Sequence, residues 1–415
     1  MMKKKYIVGW GLATALVVAP AAAFAAGFAN TAQSATASGM SGVATGNADE
    51  PNANFFNPAS MIFREDFNVY AGPTLIAPSV SYTSPDGTSE ASTVAQVFPP
   101  PNFSLAVPFA DSFALGVGVT LPWGLAIDWD NWENRETFRS QGLQTININP
   151  NFAYKIPGLD LGVAAGVQVL HSTLSQRRSV FLREDTEVDV NLAGSGVGVG
   201  ATFATMFKAT DEITLGLNYR SGARINYEGT ARFGNHNDEE QFTDPNDTPF
   251  AASFVDQDIT TTINIPHTVN FGLGWQVLEP LWLGVDVNYM TWSVYDEIAV
   301  EFEEQGDDLV VNADWEDAFA FRIGGEFAVI DNLKARAGFG YDMTPVPDET
   351  VGPSLPDNDR FVFSTGVGYT KLGIRADLAY QYVYLNERVI DNEVGADGTY
   401  QLSSHLVGIN IGYGF

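Results

Sequence analysis

Histidine is the side chain most often used to move protons near neutral pH, and this chain has four: His171, His236, His267 and His405. A hydrolytic centre would hold one of them beside a serine hydroxyl. His405 follows Ser403 and Ser404, but successive residues of a strand point to opposite faces. His171 and His405 fall on the apolar phase of their segments, where a membrane-interface placement suits them, and His236 sits in an acidic stretch. Cysteine is absent, which removes disulfide frameworks, thiolate metal sites and thiol nucleophiles. No glycine loop of the phosphate-cradling kind is visible. No catalytic residue, metal site or cofactor is expected. What remains is charge. Arg220, Arg322, Lys334, Arg336 and Arg375 fall on the small, polar phase of alternating segments, together with Asp286, Glu326 and Asp377. Cations so placed are candidates to meet a carboxylate, or to be neutralised by those acids.

The segments that must position these charges alternate with a strict period of two, the signature of strands. Val407, Ile409, Ile411, Tyr413 and Phe415 oppose Gly408, Asn410, Gly412 and Gly414. Leu115, Val117, Val119 and Leu121 oppose Gly116, Gly118 and Thr120, and Ile374, Ala376, Leu378 and Tyr380 oppose Arg375, Asp377 and Ala379. One face is apolar with aromatics near its ends; the other is glycine, small or polar. A soluble sandwich would put large polar residues on that second face. Strands of about ten residues suit a tilted transmembrane crossing. Lipid offers no hydrogen bonds to an open sheet edge, so such strands must close on themselves. The expected fold is all-β: a transmembrane antiparallel β-barrel over residues 67–415. At roughly 25 residues per strand with its share of turn, it has about 14 strands, an even number as in the outer-membrane class.

Composition agrees. With 45% apolar and 17% charged residues among 415, the chain is too hydrophobic to be disordered. Lys plus Arg total 21 against 50 Asp plus Glu, a net charge of −29, which excludes binding to nucleic-acid phosphates. Much of the acid lies in polar stretches at 234–258, 301–317 and 345–359, expected as external loops with solvated surfaces. At the start, Lys3, Lys4 and Lys5 precede an apolar run to Ala19 and the small-residue site Ala23-Phe24-Ala25. That order reads as a secretory signal over 1–25, shorter than the roughly 20 apolar residues of a membrane helix.

Residues 26–66 lack alternation and are rich in Ala, Ser, Thr, Gly and Asn. A segment of this kind ahead of a barrel can fold inside it as a plug, because the lumen is not lipid. Its most marked run is Phe55-Phe56-Asn57-Pro58-Ala59-Ser60-Met61, in which Asn-Pro favours a turn.

Ala26-Gly27-Phe28, Asn57-Pro58-Ala59 and the terminal Phe415 make the chain resemble the long-chain fatty acid transporters of the FadL/TodX outer-membrane family. Tyr219-Arg220-Ser221, Thr291-Trp292-Ser293, Pro345-Val346-Pro347 and Pro356-Asp357-Asn358-Asp359-Arg360-Phe361 extend the likeness over nearly the whole mature chain, in the family's order. The resemblance implies a 14-stranded barrel in the outer membrane of a Gram-negative bacterium, plugged by an N-terminal hatch of about 40 residues. It implies passive uptake of long-chain fatty acids or similar hydrophobic molecules: capture near the external loops, an interior pocket near the hatch N-terminus, and sideways release at a kinked third strand. The partners would be that ligand, membrane lipid and lipopolysaccharide, with the barrel a monomer.

On that reading Phe28 is the hatch residue facing the pocket, and Arg322, Arg336 and Arg220 are the candidates for a carboxylate head. Gly116 and Gly118 are the candidates for the kink. The family's long helical loop after the fifth strand is short here, about 175–195, so Trp123, Trp129 and Trp132 are candidates for an alternative outer capture surface; a membrane-interface belt fits them equally. The rival function is a general diffusion porin, with a wide, charged, open lumen.

Overall fold

The computed structural model describes residues 27–130, 132–183, 186–235, 255–304 and 308–414. The signal stretch 1–25, His236 and Phe415 lie outside them. Fourteen antiparallel staves close into a barrel. In chain order they are β1 (Asn68–Thr83), β2 (Glu90–Ser92, then Pro101–Phe109), β3 (Phe113–Asp128), β4 (Ser140–Ile156), β5 (Leu161–Arg183), β6 (Thr186–Lys208) and β7 (Ile213–Arg220, then Ala223–Asn235). The second half is β8 (Gln257–Ile265, then Thr268–Leu278), β9 (Leu281–Met290, then Glu297–Phe302), β10 (Leu309–Asn312, then Ala318–Ile330), β11 (Leu333–Asp342), β12 (Arg360–Lys371), β13 (Ile374–Leu385, then Arg388–Ile390) and β14 (Gly398–Tyr413). β14 pairs with β1 from Val69↔Tyr413 to Thr83↔Thr399, which closes the wall.

The alternation sorts as expected. Leu217, Phe271, Ile323, Leu378 and Ile411 are exposed on the outer wall, while Asn218, Asp286, Arg322, Asp377 and Asn410 point inward and are buried. Two expectations change. Strands of ten residues are too short for one side: β5 and β6 have 23 residues each. They pair along nearly their whole length, and Val188–Val197 of β6 also pairs with β7, so the described residues of 175–195 extend the wall as strand.

The interior is filled by residues 28–63, which hold two short helices, Ala35–Ser38 and Ala53–Phe56, and a 3₁₀ turn, Pro58–Phe63. This segment meets staves all round the wall. Thr74 (β1) donates to the Ala32 carbonyl at 2.9 Å, Asn54 donates to Ser104 (β2) at 2.9 Å, and Asn218 (β7) donates to the Phe56 carbonyl at 2.9 Å. The Ala44 amide donates to Asp286 (β9) at 3.0 Å, and the Ala35 amide to Asn410 (β14) at 2.7 Å. A segment bonded to opposite walls at once lies inside them.

This packing explains the glycine-rich inner face. A Cβ on Gly338 would sit 2.3 Å from the Met40 carbonyl carbon, one on Gly216 1.9 Å from the Thr45 oxygen, and one on Gly162 2.7 Å from the Ala59 oxygen. Gly116 and Gly118 belong to the same set: their Cβ positions lie 2.2 and 2.9 Å from Asn54 atoms. Both sit in the regular ladder with β2, which runs from Phe103↔Val119 to Phe109↔Phe113. They admit the plug; the bend of β3 lies further on.

Candidate functional site

β3 bends at Leu121-Pro122. Its register against β4 shifts between Thr120 and Trp123, and the burial pattern shows the consequence. Up to Val119 one face is partly or fully exposed; from Thr120 to Ile127 every residue is buried. A stave buried on both faces has left the wall for the interior. Leu121, apolar-phase by alternation, is fully buried for this reason. The inward-turned segment takes the start of the plug as its new neighbour: Asn30 N donates to the Pro122 carbonyl at 2.7 Å, and Gly124 N to the Phe28 carbonyl at 2.9 Å, around an Ala29↔Trp123 bridge.

The wall is interrupted where β3 departs. Among the described residues no ladder pair joins 95–102 to 120–127; the next link outward is Val94 N to the Asp128 carbonyl, 2.8 Å. Pro99, Pro100 and Pro101 line the β2 margin, and proline has no N–H for a ladder. Pro122 withholds a fourth donor on the opposite margin.

Beside the β3–plug junction lies an apolar cavity of about 150 Å³. Phe28, Leu125, Leu143, Tyr227, Tyr295 and Trp315 are among its lining. Phe28 holds its floor: its ring lies 4.7 Å from Trp292, 5.4 Å from Tyr295, 5.6 Å from Trp315 and 6.2 Å from Trp123, mostly edge-on, the favourable geometry for aromatic pairs. Gly27 precedes it with φ +68° and no room for a side chain, Trp315 being 2.6 Å from a Cβ there. The Gly27 amide donates to Asp357 at 3.1 Å, and Arg360, ion-paired with Asp357, donates to the Gly27 carbonyl at 2.9 Å. Asp357 and Arg360 therefore clamp the plug's N-terminal end. They stand in the Pro356–Phe361 motif, but their role was not read from sequence; a carboxylate and a guanidinium three residues apart were the available signal, in a stretch that reads as a polar loop.

The cations fall elsewhere than expected. Arg336 is completely enclosed: it bonds Glu326 (2.7 Å) on the neighbouring stave and Asp377 (2.7 Å), reaching Asp377 across the bare backbone of Gly368. Lys334 joins at Glu326, Arg375 at Asp377 (2.6 Å), and Arg375 donates onward to Thr36 of the plug at 2.8 Å. Arg322 pairs with Asp342 at 2.8 Å and donates to the Ser41 carbonyl of the plug at 2.9 Å. Arg220 donates to the Phe55 carbonyl and stacks 3.8 Å over the Phe55 ring. Arg322 and Arg220 do border a second cavity of about 50 Å³, lined also by Trp123, Phe55 and Asp286. None of these three arginines lines the apolar cavity. The assignment of a carboxylate head to Arg336 is corrected: strand phase gave the inward direction, and Glu326, opposite it in register, and Asp377, two staves on, took the charge.

The tryptophans are likewise corrected. Trp123, Trp129 and Trp132 are all buried. Trp129 and Trp132 stack at 4.6 Å beneath the outer loops, their indole N–H groups donating to the Pro353 and Phe138 carbonyls. They roof the barrel, since large apolar rings at a watery mouth bury themselves. Asn57-Pro58-Ala59 has a mechanical role: the Asn57 side chain accepts from Ala59 N at 3.1 Å, starting the 3₁₀ turn, and donates to the Thr45 and Thr205 carbonyls, both at 3.0 Å. As for the histidines, His267 bonds Tyr219 and His405 bonds Tyr380; among the described residues neither bonds a serine.

A closed barrel with a lumen filled by its own N-terminal segment, an apolar interior cavity and a broken wall defines a membrane-embedded conduit. A family model described as "Outer membrane protein transport protein (OMPP1/FadL/TodX)" matches residues 16–415, and the chain belongs to that outer-membrane family. The long-chain fatty acid transport protein of Escherichia coli K12 is 26% identical over the full length of both chains, and that of Salmonella typhi 27%, again over both in full. Among solved structures, a Pseudomonas aeruginosa FadL homologue superposes with a TM-score of 0.83 at 20% identity, over 94% of this chain and 99% of that one. The toluene transporter TodX of Pseudomonas putida gives 0.69 at 17%, covering 94% and 97%.

Proposed function

We propose that this protein takes hydrophobic small molecules across the outer membrane passively, through the apolar cavity at Phe28 and out sideways between β2 and β3. The relatives named for fatty acid and toluene transport support that class of cargo. Residues 26–66 act as a movable hatch once the signal at 1–25 is removed, and the barrel works as a monomer with its apolar wall in lipid. Burial of a hydrophobe gains about 0.8 kcal/mol per methylene, enough to capture it and enough to trap it. Release therefore needs a change that weakens the site and opens a path to lipid. One observation carries the reading: the contact between Phe28–Asn30 and β3 both floors the cavity and borders the wall break. A shift there empties the cavity towards the bilayer. A diffusion porin would need an open lumen, which residues 28–63 occupy.

The chain's lack of cysteine gives a clean test. Ala29 and Trp123 face each other as a non-hydrogen-bonded antiparallel pair, the closer kind of cross-strand pair and within the span of a disulfide. Ala29→Cys with Trp123→Cys, oxidised, should retain ligand binding and lose delivery of a labelled hydrocarbon into the membrane, with recovery on reduction. Equal delivery in both redox states would refute the gating role.

A further inference from the structure

The apolar cavity contains no charged side chain among the described residues that line it. Its polar members are neutral amides and hydroxyls: Gln141, Gln176, Thr261, Thr350 and Ser354 among them. The interior cations nearest in role are committed. Arg360 is held by Asp357 and Gly27, Arg322 by Asp342 and Ser41, Arg336 by Glu326 and Asp377. Arg178 continues the face of β5 that carries Leu174 and Gln176, but it lies beyond the lining.

We propose that this cavity selects uncharged hydrophobes, of the size of a substituted aromatic ring, over carboxylates. The proposal rests on the transport reading above and names its cargo. An ionised carboxylate entering here would give up hydration and meet no cation. It would have to enter protonated, and that fraction falls about tenfold for each pH unit above its pKa. A neutral hydroxyl or carbonyl finds partners in the amides and hydroxyls. An apolar cavity near 150 Å³ is also the size that accepts a benzene ring.

The test is calorimetric binding of a matched pair, 4-methylbenzyl alcohol and 4-methylbenzoate, to the full-length purified protein in detergent. At pH 8 the alcohol should bind at least about a hundredfold tighter, and the gap should shrink about tenfold per unit as the pH is lowered. Gln176→Arg, which places a cation on the lining, should tighten the benzoate while the alcohol still binds; Arg178→Gln should leave the ratio unchanged. Comparable affinities at pH 8, no benzoate gain in Gln176→Arg, or a selective loss of benzoate in Arg178→Gln would each overturn the selectivity and leave transport standing. No binding of either compound would overturn the transport reading along with it.

Discussion

At the scale of single residues, the interior charges act as fasteners. Arg336, Asp377, Arg375 and Thr36 form a continuous link from wall to plug. Removing one partner strands a buried charge, which costs roughly 3–5 kcal/mol. Arg336→Ala should therefore lower the unfolding midpoint in denaturant markedly while leaving the alcohol-to-carboxylate binding ratio as it was; a change confined to carboxylate binding would restore its role as a head-group partner. Glu50 tests the plug from another side. Its carboxylate accepts from Ser34 (2.7 Å) and the Asn52 amide (3.0 Å), yet burial outweighs both bonds and holds its pKa above the ordinary value. A raised carboxyl contributes stability that is complete below its unfolded pKa and is lost as pH rises through the folded one. Hydrogen-exchange protection of residues 28–63 should accordingly increase on going from pH 7.5 towards 5, and Glu50→Gln should be more protected than wild type at pH 7.5 with a flatter profile. A wild-type profile matching the variant's would show that Glu50 carries no such linkage. These roles were half legible: alternation told which way each side chain points, whereas partner identity depends on cross-strand register, as with Glu326 opposite Arg336.

At the scale of elements, β3 carries the proposed exit. Its alternation through Val119 reads directly from the sequence, and so does the plain continuation to Leu121, which is where the reading fails. Glycine permits unusual backbone, which makes Gly116 and Gly118 hinge candidates in the sequence, but these inner glycines serve close approach of the plug, a long-range contact no local pattern reveals. The bend belongs to Leu121-Pro122, and the break in the wall to Pro99-Pro100-Pro101, where missing N–H groups prevent a ladder. Replacing Pro99 with Thr and Pro101 with Val restores two donors and strand-forming side chains. Delivery of a labelled hydrocarbon to lipid should slow several-fold with cavity affinity unchanged; delivery at the wild-type rate would mean that the exit lies elsewhere.

For the molecule as a whole, the barrel is a closed frame around an interior filled by its own residues 28–63. The wall was predictable from period-two alternation and the closure that lipid demands. The plug was legible as a segment without strand pattern, and its fit was not, since it depends on contacts with staves spread along the entire chain. On the proposed reading a hydrophobe leaves through the side and does not pass the plug's inner end. Photo-crosslinking tests this most directly: a neutral aromatic carrying a diazirine is loaded into the protein in lipid nanodiscs and the labelled positions are mapped. Labels are expected on Phe28, Leu125 and Leu143, on Phe98 and Leu121 at the wall break, and on adjoining lipid chains. Labels along Thr36, Tyr70 and Arg375, with none at the β2–β3 margin, would contradict lateral release.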